Sequence, residues 1–162
     1  MPEKIANVPP PSGLSRILYR LPILLFRLCL GWMFGGHLLL LNHTGRKSGL
    51  PRQVVLECIR HDKPSDTYFV IAGWGEKSDW FCNVQKTPQV TIQVGCKPLN
   101  AYAERLPLEQ AELEILTYAR RFHAQVGYLV RIAGYRVDGT EADYRALASV
   151  FPVVALRRRL SQ

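Results

Sequence analysis

The sequence predicts a mainly β fold with peripheral helices, most simply a small antiparallel barrel. Its 162 residues suffice for one domain with a buried core. Short apolar or alternating segments are joined largely by turn-like stretches, a pattern typical of hairpin-connected strands. Helical patterns lie before and after these segments. A barrel is favoured over a sandwich because closing the sheet leaves no exposed edge.

An apolar, amphipathic helix is predicted near the N-terminus, over Gly13–Phe34, after a proline-rich tail. Arg16, Arg20 and Arg27 fall close together when residues are placed about 100° apart, and Pro22 is expected to kink the helix. Such a helix can cover the protein's own core or a partner, lie in a membrane interface, or span the membrane. Its charges and glycines disfavour the last of these.

The remaining elements follow in chain order. Alternating or continuous apolar patterns predict six strands, over Leu38–His43, Gln53–Arg60, Tyr68–Ala72, Gln89–Val94, Leu99–Leu106 and Val153–Leu156. Amphipathic patterns and their flanking residues predict three helices, over 79–86, 107–124 and 140–150. Asp79 is expected to cap the first of these helices.

The loop TGRKSGLPR, Thr44–Arg52, joins the first two of these strands and concentrates positive charge. Arg46, Lys47 and Arg52 stand there with two glycines and Ser48. Backbone N–H groups, a hydroxyl and cations in one place suit an anionic ligand, especially a phosphate or a carboxylate. A solvated basic hairpin without a ligand is the alternative.

A second loop, Gly73-Trp74-Gly75, follows an apolar strand and precedes the short helix that contains Trp80. Its glycines permit a ligand to approach the backbone closely. The two indoles can wall a flat aromatic ring. Packing at a barrel rim is the alternative for both tryptophans.

Several classes of protein are disfavoured. The net charge of +8 lacks the aromatic–basic interleaving, helix-turn-helix or zinc pattern of nucleic-acid binders. The four histidines are scattered and predict no metal site. The four cysteines show no CxxC spacing, so reduced intracellular thiols are expected. No nucleophile–base or carboxylate pair identifies a catalytic residue, so an enzyme of this sequence needs a bound cofactor for its chemistry.

In this order the two loops and the segment DWFCNVQKTPQVTIQVG resemble the deazaflavin-dependent nitroreductase family, part of the split-barrel flavin and deazaflavin oxidoreductases. The likeness covers about Leu38–Leu106 and continues loosely to Leu156. It implies a split β-barrel (FMN-binding-like) that forms a cofactor-binding domain over residues 38–162. Residues 1–37, the tail and apolar helix, belong to the same structural domain. The implied cofactor is coenzyme F-420, an 8-hydroxy-5-deazaflavin with a phosphate and an oligoglutamate tail; FMN is the alternative.

The resemblance also implies site residues by motif position. The hairpin that meets the phosphate and tail corresponds to Arg46, Lys47, Ser48, Gly49 and Arg52. The strand end and loop beside the deazaflavin ring correspond to Ala72, Gly73, Trp74 and Gly75, and the short helix contributes Trp80 and Asn83. The substrate pocket is expected to include Trp74, Phe81 and Tyr144. Three positions differ from the usual family pattern. Trp74 stands where many members have a polar loop residue, Phe81 stands where they have a tyrosine, and Asp79 stands where they have a proline.

The activity implied by the resemblance is hydride transfer from reduced F-420 to a hydrophobic acceptor such as a quinone or nitroaromatic. A membrane-associated binder of a lipid or other hydrophobic ligand, without catalysis, is one alternative, and an FMN-binding relative is another. A homodimer is expected because this barrel class commonly pairs. The expected location is the cytoplasm or the inner face of the cell membrane, and no nucleic-acid partner is expected.

Overall fold

The computed structural model describes the backbone of residues 1–8 and 13–159, and the side chains of 1–8 and 20–159. Within these ranges the strands are β1 Glu3–Lys4, β2 Leu38–Thr44, β3 Pro51–Asp62, β4 Thr67–Ile71, β5 Gln89–Val94, β6 Lys97–Arg105, β7 Tyr135–Arg136 and β8 Val153–Arg158. The helices are α1 Gly13–Arg27, α2 Asp79–Lys86, α3 Leu108–Arg121, α4 His123–Ile132 and α5 Glu141–Ala146. Short 3-10 turns lie at Gly31–Phe34, Gly75–Lys77 and Leu147–Ser149.

Six antiparallel strands close into the predicted barrel, in the order β2-β3-β4-β8-β6-β5. Pairing of β5 with β2 completes the circle, with Ile92 opposite Leu41. The inward residues of the strands form one fully buried cluster, to which Leu39, Val70 and Leu156 belong. The alternation read from the sequence therefore gives the side that faces the core. Helix α2 contributes Trp80, Phe81 and Val84 to the same cluster.

Helices α3, α4 and α5 pack against the outer face of the barrel. Outward residues of the strands, such as Ile59, Phe69 and Ala155, join their apolar faces in a second cluster. The predicted helix 107–124 ends at Arg121, and Phe122 leaves the helical region with φ −131° before α4 begins. Helix α4 was not predicted from the sequence.

Helix α1 covers another part of the outer face, where Ile23 and Phe26 pack on Leu40 and Val55. It ends at Arg27 rather than at Phe34, because Cys29 adopts a positive φ of 58° and turns the chain. The C-terminal end of α1 thus covers the barrel, as one of the alternatives for this helix predicted. The Arg16 side chain lies outside the described side chains, so the complete arginine stripe stays a prediction. None of the described helices has the length and apolar character required to cross a bilayer.

The expectation of four reduced cysteines is wrong for one pair. Cys29, after α1, forms a disulfide with Cys96 in the β5–β6 turn, 67 residues later. Cys58 and Cys82 are free. The pair was missed because a disulfide depends on closeness in space, and sequence spacing does not show which turns meet. The bond also weakens the inference from cysteine spacing to a reducing compartment.

Candidate functional site

The basic hairpin is a tight turn between β2 and β3. The strands pair as far as Thr44 opposite Pro51, which leaves residues 45–50 as the loop. Gly45 N–H donates to Leu50 O at 2.9 Å, and Gly49 N–H donates to Gly45 O at 2.8 Å. Gly49 has a φ of +66°, a conformation that glycine adopts without steric cost. The loop therefore has a defined backbone.

Arg46 fastens this hairpin to helix α2. Its backbone N–H and its Nη1 donate to Asn83 Oδ1 at 2.9 and 3.1 Å, and Nη1 also reaches Asp79 Oδ1 at 3.0 Å. Lys86 Nζ donates to Arg46 O at 2.8 Å. The guanidinium expected to meet an anionic ligand is thus turned toward the helix, and the short helix holds the loop in place.

His43 extends this network into the barrel end. Asn83 Nδ2 donates to His43 Nδ1 at 3.1 Å, which requires that ring nitrogen to be unprotonated. Burial, with the positive charge of Arg52 second, lowers the pKa of His43 to about 4. At neutral pH the imidazole is therefore uncharged, and all its surroundings favour that form except Asp79.

The other two cations of the hairpin face solvent. Lys47 and Arg52 are exposed, as are Ser48 and Gly49. Neither cation forms an ion pair within the described part of the chain. A Cβ placed on Gly49 would meet nothing within 4 Å, so the turn is also open above its backbone. These residues remain available to an anionic group.

The glycine loop follows β4. Ala72 is buried and its N–H donates to Pro152 O at 2.9 Å, whereas Gly73 borders open space, since an added Cβ would meet nothing within 4 Å. Gly75 has φ +66°, and a Cβ there would lie 2.9 Å from Val150 O. Ser78, not Asp79, occupies the N-cap position of α2, so the predicted cap was wrong by one residue.

An apolar cavity of about 380 Å³ opens beside this loop, between the outer face of the barrel and helices α3 and α4. Strand β3 contributes Val55, Glu57 and Ile59, and the end of β4 contributes Ile71, Gly73 and Trp74. The helices add mainly aliphatic side chains. A flat, largely hydrophobic molecule is the ligand that such walls favour.

One polar pair lies in this cavity. Tyr118 of α3 donates its hydroxyl to Glu57 Oε1 in a short hydrogen bond. Tyr118 is buried and Glu57 is half-buried. Burial first, and the neighbouring Glu57 second, raise the pKa of Tyr118 above its ordinary value. The phenol therefore stays a neutral hydrogen-bond donor.

The other predicted residues do not line this cavity. Trp80 and Phe81 are 7% and 3% exposed and pack inside the barrel end, with their rings edge to face. Asn83 is 5% exposed and uses its amide on His43 and Arg46. Tyr144 is buried, and its hydroxyl pairs with His123 Nδ1 at 2.7 Å. Their roles as ligand contacts stay predictions, while Gly73 and Trp74 do come together at the cavity.

A second, polar groove of about 570 Å³ lies across β2, β5 and β6, where its lining includes Asn42, Thr91, Asn100 and Arg159. It holds none of the predicted cofactor or substrate residues. Sequence reasoning missed Glu57, Tyr118 and α4. The sequence did contain a signal for Glu57, because it is a charged residue that alternates with the apolar Val55 and Ile59 on one side of β3. No group of metal-binding side chains is found among the described residues.

Comparison with known proteins agrees with the resemblance seen in the sequence. The family model described as F420H(2)-dependent quinone reductase matches residues 29–137. No curated protein matches the chain. A solved structure described as an F420-H2 dependent reductase (FDR-A) is 25% identical, with a TM-score of 0.51, and the match covers 75% of this chain and 94% of that one.

Two further structures share the fold. One, described as a domain-swapped dimer, is 24% identical with a TM-score of 0.51, over 90% of this chain and 100% of the other. A candidate pyridoxamine 5'-phosphate oxidase from Listeria innocua is 12% identical with a TM-score of 0.54, over 84% and 94%. At these identities they show the split-barrel fold alone.

The chain belongs to the F-420-dependent quinone reductase family, because the family model covers more than half of it. Membership makes it an F-420-dependent oxidoreductase and confirms the expected cofactor. The residues present fit this group: exposed Lys47 and Arg52 suit its phosphate and carboxylates, and the open space over Gly73 beside an apolar cavity suits its ring.

Proposed function

We propose that this protein uses reduced F-420 to reduce a flat, hydrophobic acceptor, such as a quinone or nitroaromatic, in the cavity beside Gly73 and Trp74. The observation that carries the proposal is that the chain offers both exposed cations and an apolar cavity: Lys47 and Arg52 are exposed in the hairpin, and Gly73 borders open space beside the cavity. A ligand with an anionic end and an aromatic end suits that combination.

In this proposal Lys47 and Arg52 bind the phosphate and carboxylates, with Ser48 and Gly49 beside them. Arg46 and Asn83 position the hairpin rather than contact the ligand, since their polar atoms bond to each other and to α2. Gly73 permits the ring to approach the backbone, and Trp74 walls it. Bound F-420 in its reduced form supplies the hydride. The apolar walls exclude water from the acceptor.

The test is oxidation of reduced F-420, followed by its absorbance, with the purified protein and menadione or a nitroaromatic as acceptor. We expect turnover that depends on both protein and acceptor. Rates equal to the protein-free blank with both acceptors would contradict the proposal. Titration with FMN in parallel distinguishes the alternative cofactor, because tighter binding of FMN at every salt concentration would make the flavin the true ligand.

We also propose that the protein contacts a membrane surface through α1 and the turn that follows. Five large apolar side chains there are more than half exposed: Leu21, Leu24, Leu28, Trp32 and Met33. Arg20 and Arg27 are exposed on the same helix. Apolar residues beside cations are typical of interfacial helices. Val55 packs against this helix and also lines the cavity, so the proposed membrane contact lies next to the proposed acceptor site.

Vesicle sedimentation tests this contact. The double variant Leu24→Asp/Leu28→Asp should release the protein from vesicles containing anionic lipid. The matched control, Leu108→Asp/Leu113→Asp, removes two exposed leucines from α3 and should leave binding unchanged. Equal sedimentation of all three proteins would contradict membrane contact. The expected homodimer stays a prediction that analytical ultracentrifugation would check.

A further inference from the structure

We propose that Glu57, positioned by Tyr118, determines which ligands the cavity accepts: neutral, flat aromatic molecules that present one hydroxyl or N–H donor to the carboxylate. The inference rests on the proposed function, which makes this cavity the ligand site. It goes beyond that function by naming a residue and the class of ligand that the residue selects. Hydroxylated quinones belong to this class; a quinone without a donor, such as menadione, should bind more weakly than its hydroxylated counterpart, and aromatic acids should bind weakest.

The pair contrasts with its surroundings. The cavity is walled mostly by aliphatic and aromatic side chains from β3, β4, α3 and α4. Glu57 places a carboxylate among them on the outward face of β3, between the apolar Val55 and Ile59. A carboxylate moved away from water is costly unless it is hydrogen-bonded. A ligand that fills this cavity must therefore satisfy Glu57 or lose affinity.

The hydrogen bonds of the pair indicate where a ligand would bind. Glu57 Oε1 accepts from the Tyr118 hydroxyl. Among the described side chains and backbone groups none donates to Oε2, and our proposal assigns that oxygen to the ligand. The raised pKa of Tyr118 keeps its proton on the phenol, so Tyr118 continues to hold Glu57 when a ligand arrives. A carboxylate only accepts hydrogen bonds, which selects donors.

The charge of Glu57 also affects which ligands bind. An anionic ligand beside Glu57 would bring two like charges together where apolar walls reduce screening. An ether or ester of the same shape would displace water from Oε2 and offer no donor in return. The cavity thus discriminates against an acid by repulsion and against an ether by an unmet hydrogen bond. The two effects are separable by substitution.

The experiment is isothermal titration of the purified full chain with three small aromatics of one shape: 2-naphthol, 2-methoxynaphthalene and 2-naphthoate. With the wild type, 2-naphthol should bind about tenfold or more tighter than the ether, the usual scale for a hydrogen bond to a charged group. 2-Naphthoate should bind weakest. Repeating the titrations with saturating oxidised F-420 shows whether the preference persists beside the cofactor.

Substitutions at Glu57 and Tyr118 separate the repulsion of an acid from the unmet hydrogen bond with an ether. Glu57→Leu should abolish the preference for 2-naphthol over the ether. Glu57→Gln, which keeps an acceptor without the charge, should retain part of that preference and improve 2-naphthoate binding. Tyr118→Phe should lower the preference partially, because Glu57 loses the bond that positions it. The controls Glu104→Gln and Tyr102→Phe alter exposed residues of β6 and should keep the wild-type ratios.

Equal binding of 2-naphthol and the ether to the wild type, no binding of either, or an unchanged ratio in Glu57→Leu would each overturn the inference. Thermal unfolding of every variant shows that it is folded before its titration is used. These titrations need no turnover. A protein that shows the expected ratios but oxidises no reduced F-420 would contradict the proposed function and leave the selection by Glu57 standing.

Discussion

The hairpin base, at the start of β3, and the apolar cavity, lined by the middle of that strand, differ in how their polar groups are hydrogen-bonded. At the hairpin base, both ends of the Asn83 amide have partners inside the protein: Oδ1 accepts from Arg46, and Nδ2 donates to His43. In the cavity, Glu57 accepts one hydrogen bond, from Tyr118, among the described residues. In our proposal the first region is rigid without a ligand, and a ligand completes the hydrogen bonds of the second. A substitution should therefore lower the stability of the protein in the first region and change ligand selection in the second.

The largest effect is expected for Asn83→Leu. The leucine removes the acceptor of the Arg46 N–H and the donor to His43, and leaves buried polar groups unpaired. The free energy of unfolding should fall by about 2–4 kcal/mol, measured by urea denaturation. Gln85→Leu, at an exposed position of the same helix, is the control and should change it by less than about 0.5 kcal/mol. Equal stability of the two variants would remove the contrast between the regions.

Next come the exposed cations of the hairpin. Lys47→Ala and Arg52→Ala should each weaken F-420 binding by about 1–3 kcal/mol, because each removes a charged donor, while stability stays unchanged. Fluorescence titration measures the affinity, and Lys97→Ala, an exposed lysine at the β5–β6 turn, is the control. Affinity for F-420 should also fall more steeply with salt than affinity for FMN. Full affinity in both variants would exclude this loop from the site.

Acid should weaken the hairpin base through His43. Its pKa is about 4 when folded and near 6.5 when unfolded, so the unfolded chain binds the proton first as pH falls. This contribution to stability is intact above pH about 6.5 and is lost progressively toward pH about 4, by about 2 kcal/mol. Melting temperatures across that window should flatten in His43→Gln and keep the wild-type slope in Gln85→Leu, which removes no titrating group. Parallel slopes in all three would contradict the prediction.

The smallest effect is expected at Trp74, which lines the cavity. Trp74→Ser shortens one wall and should widen the range of acceptors, raising the rate with bulky nitroaromatics relative to menadione by less than about tenfold. Rates of reduced F-420 oxidation with both acceptors check it, with Tyr102→Ser as an exposed aromatic control. An unchanged ratio would show that Trp74 only packs. It would also show that selection in the cavity lies elsewhere, as at Glu57.

Much of the fold was predictable from local patterns. Strand β5 was predicted with its observed bounds, Gln89–Val94, and the end of α2 at Lys86 was also correct. The cationic hairpin and the glycine loop were evident because charge, glycine and turn residues act over a few positions of the chain. The resemblance carried by those two loops then identified the family and the cofactor.

What only the tertiary structure decided are the contacts between distant segments. Glu57 and Tyr118 are 61 residues apart, and Cys29 and Cys96 are 67 apart. Periodicity shows which side of a strand is apolar, but a helix packed over the outer face decides whether a cavity forms there. The same limit hid the internal partners of Asn83, whose buried amide bonds to His43 and Arg46. Sequence patterns record the local preferences of the chain, and the partners of each polar atom depend on how the elements pack.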